Sequence, residues 1–161
     1  MHDGLSLDPD YRPLNILSIG GRGYERFLDL VVSHMRGLSF LLGFARSLNE
    51  GLEYLAENDI DLILLDPDLP DSKGIGTFMR IRGLTPEIPI VVITSRENEE
   101  MSLRMIKEGA HDCIFESQLR PSLLMRSLLH VIERKGWKEY IANCHPKTER
   151  PVSANRSRLR Y

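Results

Sequence analysis

The feature that most constrains this chain is an alternation. Short apolar runs rich in β-branched residues are each followed by a stretch in which apolar residues recur at helical spacing. Asn15 to Ile19 is halted by Gly20-Gly21-Arg22-Gly23, and Phe27, Leu28, Val31, Val32 and Met35 then repeat at helical spacing. Ser39 to Ala45 is followed by Leu48, Leu52, Leu55 and Ala56, and Asp61 to Leu65 by Ile75, Phe78, Met79 and Arg82. Ile88 to Ile93 precedes Met101, Leu103, Met105 and Ile106, a stretch closed by Gly109. Asp112 to Phe115 precedes a last helix opening at Pro121, a favoured first helical position, with Leu124, Leu128, Val131 and Ile132. Continuous apolar strands between helices indicate a parallel sheet covered on both faces. Right-handed crossovers then restrict the chain to a doubly wound α/β fold of five strands. Ile16, Ile19, Ile63, Leu65, Val91 and Ile93 are expected in its core.

The remaining composition fits one such domain. The chain has 161 residues, 42% hydrophobic and 27% charged, with a formal net charge of −2. That balance offers no electrostatic case for nucleic acid or a membrane surface. Apolar runs stop at about six residues where a membrane span needs about 20. Met1 to Asp10 carries Asp3, Asp8 and Asp10 and no apolar run, unlike a signal peptide. Cys113 and Cys144 make no disulfide framework, so a reducing, cytoplasmic setting is expected. Beyond Cys144, Lys147, Arg150, Arg156, Arg158 and Arg160 face one acid, Glu149, among prolines and serines. This stretch reads as a solvated extension or as a basic arm for an acidic partner. The expected organisation is a leader over 1–13, a folded domain over 14–138 and a basic, disordered tail over 139–161. Only 26 residues follow Lys135, fewer than an output domain needs. Trp137 and Tyr140 near the end of the last helix either cover that helix or meet a partner.

In a doubly wound sheet, function sits beyond the carboxyl ends of the strands. The residues to read are therefore Gly20-Gly21, Asp66, Thr94-Ser95 and Glu116-Ser117. The glycine loop Gly20 to Gly23 stands where phosphate-binding loops occur. The third glycine of a dinucleotide fingerprint starting at Gly21 would fall at Arg26, and no Walker lysine follows. The loop thus reads as a tight connection, with an anion or nucleotide site as the alternative. His2, His34, His111, His130 and His145 show no metal-ligand spacing.

The run Asp61-Leu-Ile-Leu-Leu-Asp66-Pro-Asp68-Leu-Pro70-Asp-Ser-Lys-Gly74 resembles the strand-three motif of response regulator receiver domains. In that motif an apolar strand ends in an aspartate, with proline four and glycine eight positions later. Ile90-Val-Val-Ile-Thr94-Ser95 resembles the family's fourth strand, and Glu108-Gly109-Ala110 with Asp112-Cys113-Ile-Phe its approach to the fifth. The resemblance covers about residues 14 to 138. It implies a flavodoxin-like sheet of order 2-1-3-4-5 in a cytoplasmic two-component signalling protein that is not itself an enzyme. It makes Asp66 the phosphoacceptor position and Thr94 the switch position.

Five positions depart from the family pattern. The acidic pair that holds Mg²⁺ aligns with Gly20 and Gly21, the lysine after strand five with Glu116, and the aromatic of strand five with Cys113. Ser117 replaces the proline that usually follows the lysine. Mg²⁺ needs several oxygen ligands, and the phosphoryl group needs cations. The expectation is a pseudo-receiver, an interaction module with no cofactor, whose partner is a histidine kinase or another signalling protein. Self-association is expected on the last two helices and the fifth strand. One alternative is a working phosphoacceptor at Asp66 with Mg²⁺ in an altered site. Others are a rearranged metal site of Asp66, Asp68 and Glu116, an Asp66 paired with Arg22 or Arg96, and an Asp66 that only caps its own turn.

Overall fold

The computed structural model describes residues 13–20, 24–35, 38–95 and 97–134. Gly21, Arg22, Arg96, Trp137, Tyr140, nearly all of the leader and the basic tail lie outside these residues. In chain order the elements are β1 (Leu14–Ile19), α1 (Glu25–Ser33), β2 (Phe40–Ala45), α2 (Leu48–Glu57) and β3 (Leu62–Leu65). The two-residue strands β4 (Asp68–Leu69) and β5 (Ser72–Lys73) follow, then α3 (Ile75–Leu84), β6 (Ile90–Thr94), α4 (Glu99–Lys107), β7 (Asp112–Phe115) and α5 (Pro121–Arg134). The main sheet has five strands in the order β2-β1-β3-β6-β7, and every pairing in it is parallel. Counting its strands alone, this is the expected order 2-1-3-4-5. The proline-rich turn after β3 is a small antiparallel hairpin pairing Asp68 with Lys73, a feature too short to show in the apolar pattern.

Side chains alternate across the sheet, so each strand feeds two cores. Leu14, Ile16, Leu62, Leu64, Val91, Ile93 and Ile114 pack toward Leu28 and Val31 of α1 and Leu124, Leu128 and Val131 of α5. Leu17, Ile19, Ile63, Leu65, Ile90 and Val92 pack toward Leu48 and Tyr54 of α2, Phe78 and Ile81 of α3 and Met105 of α4. Burial on both faces is why these strands are apolar without interruption. The six residues expected in the core are each at most 3% exposed.

Helix starts are set by side-chain oxygens that take up free backbone N–H groups. The Ser47 hydroxyl accepts from the Glu50 N–H at 3.1 Å, and the Asn98 carboxamide oxygen accepts from the Met101 N–H at 3.0 Å. Asp71 of the hairpin turn reaches across to α2, where its two carboxylate oxygens accept from Leu48 N–H at 2.8 Å and Asn49 N–H at 2.9 Å. These bonds fasten the hairpin, and with it the segment after Asp66, to the neighbouring helix. Among the described residues no helix is long and apolar enough to cross a membrane.

Candidate functional site

Parallel pairing brings the carboxyl ends of β1, β3, β6 and β7 to one edge of the sheet. The ladder continues past β1 and β3: Gly20 N–H donates to Ala45 O at 2.7 Å, and Asp66 N–H donates to Ile19 O at 2.9 Å. Gly20 and Asp66 are therefore neighbours on adjoining strands. Gly20 adopts φ +86°, a conformation side chains rarely accept. A Cβ on Gly20 would stand 2.7 Å from both Asp66 Cβ and Leu69 Cδ2. The chain closes against Asp66 at the point where the family's acidic side chain begins.

Asp66 is half-buried, and its Oδ1 accepts from the Asp68 N–H at 2.9 Å. The capping role considered for Asp66 is thus present. Thr94 is buried at the end of β6 and pairs in register with Phe115 of β7. Cys113 lies one step inside β7, where its Sγ and the Ser102 Oγ of α4 are hydrogen-bonded at 3.3 Å. Burial pushes the Cys113 thiol pKa up, and the charge on Asp112 adds to this.

Glu116 opens the short 3-10 turn after β7 and is exposed, but its carboxylate is engaged. Tyr24, at the start of α1, donates its hydroxyl to Glu116. Burial, then the charges of Glu116 and Asp66, then this hydrogen bond hold the Tyr24 phenol well above its ordinary pKa. Tyr24 thus stays a donor. The neighbouring loop is tied as well, since the Ser117 hydroxyl donates to the Glu97 carboxylate.

Tyr24, Asp66 and Glu116 line one cavity of about 740 Å³ at this edge. Among the described residues its carboxylates are Glu25, Asp66, Asp68 and Glu116, and its cations are Arg46 and Lys73. The sequence reading did not single out Tyr24, Arg46 or Lys73. Arg46 directly follows β2, so the rule that selected Asp66 and Glu116 also reaches Arg46 when applied to every strand. Tyr24 carried no signal beyond opening a helical stretch.

These residues do not fit the family's Mg²⁺. Gly20 and Gly21 have no side chains, and the closure around Gly20 leaves no path for one. Among the described residues no group of three or more His, Cys, Asp or Glu side chains is disposed to hold a metal ion. Asp66, Asp68 and Glu116 line one cavity without forming such a group, and the Glu116 carboxylate is turned to Tyr24. The pairing of Asp66 with Arg22 or Arg96 lies outside the described residues, as does the Gly21–Gly23 part of the glycine loop.

The model of the response regulator receiver domain matches residues 27–126. The transcriptional regulatory protein ZraR of Escherichia coli (strain K12) is 30% identical over 82 residues, 51% of this chain and 19% of that protein. The swarming motility regulation protein RssB of Serratia marcescens is 30% identical over 87 residues, 54% of this chain and 40% of that protein. The matched part therefore spans well under half of either relative. Among solved structures, a receiver domain protein from Clostridium thermocellum aligns with TM-score 0.64 and 23% identity, covering 77% of this chain and 98% of that one. The signal receiver domain of a Luxo repressor protein from Vibrio parahaemolyticus aligns with TM-score 0.67 and 15% identity, covering 81% and 98%. The structural likenesses carry the fold, and the match across most of the chain carries the family: the chain belongs to the response regulator receiver domains of two-component signalling.

Proposed function

We propose that this chain is a pseudo-receiver, a protein-interaction module over about residues 14–138 that acts without Mg²⁺-dependent phosphorylation of Asp66. One observation carries the reading. Gly20 stands at positive φ against Asp66 Cβ, so the wall that would supply a metal ligand is built of backbone. Two others support it. Glu116 replaces a cation and is held in place by Tyr24. Among the described residues the cavity has four carboxylates against two cations, so a phosphoryl group of charge about −2 would meet side chains mostly of its own sign. Phosphoryl transfer relies on positioning and charge neutralisation, and both supports are reduced here.

The module's partner is a signalling protein, a histidine kinase among the candidates, that recognises its surface and not a phosphorylated state. The matched relatives are regulators much longer than the shared segment, and only the signalling module is carried over from them. A second reading, Asp66 as phosphoacceptor in an altered site, draws on Arg46 and Lys73 as substitutes for the missing cations.

One experiment decides between them. The purified chain is incubated with Mg²⁺ and acetyl phosphate or beryllofluoride, then followed by intact mass and by fluorine NMR. The expected result is no adduct at Asp66. A Mg²⁺-dependent beryllofluoride adduct at Asp66 overturns the pseudo-receiver reading and installs the second.

A further inference from the structure

We infer that the basic segment beyond Cys144 returns to its own domain, where two of the arginines Arg156, Arg158 and Arg160 enter the cavity around Asp66. The inference rests on the pseudo-receiver reading, in which Mg²⁺ does not neutralise the carboxylates of that cavity. Charge is divided unevenly along the chain: the net −2 separates into +4 beyond Cys144 and −6 before it. Among the described residues, Glu25, Asp66, Asp68 and Glu116 line the cavity against Arg46 and Lys73. Two guanidinium groups would balance that surplus of two negative charges. The lining also includes Tyr24 and Phe44, and the volume is about 740 Å³. A carboxylate takes the guanidinium fork in paired hydrogen bonds, and an aromatic ring accepts its flat face. Carboxylates beside aromatic rings therefore suit arginine, whereas no group of them is disposed to hold a metal ion among the described residues.

The segment has the spacing and the reach to serve as the occupant. In Arg156-Ser-Arg158-Leu-Arg160 the arginines alternate, so an extended backbone presents all three on one side, neighbours about 7 Å apart. α5 starts three residues after the turn that carries Glu116 and runs over Pro121–Arg134, taking the chain about 21 Å from the cavity's edge of the sheet. Arg156 lies 22 residues beyond Arg134, a length that spans up to about 70 Å when extended. The way back along α5 is well within it. Such a tether holds the arginines near the cavity at an effective concentration of the order of millimolar. Nucleic acid is the rival occupant of a basic segment, but its phosphates would approach a domain of net −6. The cavity of the same chain attracts the segment instead.

The test uses the full chain and a triple variant, Arg156→Gln with Arg158→Gln and Arg160→Gln, followed by amide NMR without Mg²⁺ or any phosphoryl analogue. The resonances of Gly20, Tyr24, Asp66, Asp68 and Glu116 are expected to differ between the two proteins. Raising the salt from about 50 mM to about 500 mM should move those of the parent toward those of the variant. A synthetic peptide of residues 150–161, titrated into the triple variant, is expected to shift the same resonances. The parent should need about tenfold more peptide, because its own segment competes. Asp68→Asn, which keeps the backbone bond to Asp66, should weaken the peptide severalfold in the triple variant. Cavity resonances that are identical in parent and variant overturn the inference, as do shifts confined to another surface. Sedimentation showing that the shifts follow dimer formation overturns it in favour of a neighbour's cavity. A DNA duplex that binds the parent with the cavity resonances unchanged overturns it in favour of nucleic acid. Each of these failures leaves the beryllofluoride test at Asp66, and the reading it decides, untouched.

Discussion

The two ends of the sheet use the same residue types in opposite ways. At the amino ends, carboxylates are fasteners. The buried Asp61 accepts from the Asn15 N–H at 2.8 Å, joining the starts of β1 and β3, while the Asn15 side-chain amide donates to Asp59 O at 2.7 Å. Asp112 accepts from the Ser127 hydroxyl at 2.9 Å and so pins α5 to the edge strand. At the carboxyl ends, Asp66, Asp68 and Glu116 surround a cavity with Tyr24, Arg46 and Lys73. Their contacts make the first set structural: the buried Asp61 completes a backbone contact and the half-buried Asp112 a helix contact. The second set faces open volume beyond the carboxyl ends of the strands, where a doubly wound fold places its functional residues. What has changed in this chain relative to its family pattern lies at the second end.

The contrast is sharpest at Gly20, the point of the carboxyl-end edge that behaves like packed interior. Gly20→Ala adds a Cβ at 2.7 Å from Asp66 Cβ and Leu69 Cδ2 on a backbone with φ +86°. Strain from the positive φ and overpacking together should cost about 3 kcal/mol, read as a fall in the urea midpoint at constant slope. A Gly20→Ala variant as stable as the parent would mean that the wall yields. An aspartate would then be tolerated there, and the metal site would be recoverable by substitution. The same geometry predicts that Glu116→Lys by itself does not restore Mg²⁺ binding, because it adds a cation but no ligand.

At the opposite end, Asp61→Ala should destabilise by about 2 kcal/mol, since it strands the Asn15 N–H in a site where Asp61 is 7% exposed. The fall should appear with no change in the cavity, monitored through the resonances of Tyr24 and Glu116. An effect near zero would show that water enters this end as readily as the other, and the distinction between the two ends would collapse.

This division explains what the sequence disclosed. The alternation of apolar runs marks all five sheet strands, because burial on both faces leaves an uninterrupted apolar signature, while their order came from the family resemblance. Asp66, Thr94, Gly20 and Glu116 were found because strand ends are numbered by the strands themselves. What stayed hidden depended on contacts between distant segments. Asp71 reads as an ordinary turn residue until the hairpin places it over α2. Tyr24 reads as a helix opener until β7 delivers Glu116 to its hydroxyl. Asn15 and Asp61 read as members of apolar strands, and their bond crosses 46 positions of sequence. Positive φ at Gly20 is likewise a property of the assembled edge; a glycine pair in a sequence permits it without requiring it.

Asp71 offers a weaker probe, between the two ends in character. It is exposed, yet its hydrogen bonds from Asn49 and Leu48 hold its carboxyl below the usual carboxylate range, with a smaller contribution from Arg80. A carboxylate whose folded pKa is depressed contributes stability above its unfolded pKa of about 3.9 and loses it as pH falls through the folded value. The stability of the parent should therefore drop in that acid window by a component that Asp71→Ala lacks. Urea midpoints measured from neutral pH down to the acid limit for both proteins test this. Parallel profiles would show that the bonds to α2 are not sensed by the folded state as a whole.

The smallest effect is expected at the residue on which the family's chemistry depends. Asp66→Asn keeps an Oδ1 that accepts from the Asp68 N–H, so the turn after β3 retains its bond. The substitution also removes one negative charge from a cavity where, among the described residues, carboxylates outnumber cations by four to two. A lost charge–dipole preference and a relieved like-charge repulsion oppose each other, and the net change should stay within about 0.5 kcal/mol. Before and after treatment with Mg²⁺ and beryllofluoride, the amide spectra of the parent and of Asp66→Asn should each remain unchanged, because neither protein forms the adduct. A stability loss of about 2 kcal/mol would reclassify Asp66 as a fastener of the Asp61 type. A spectrum that shifts in the parent and stays fixed in Asp66→Asn would show instead that the carboxyl-end edge has kept its chemistry. If neither happens, Asp66 is a carboxylate left facing ligand space after the groups that made it a phosphoacceptor were replaced, and recognition passes to the helical surfaces.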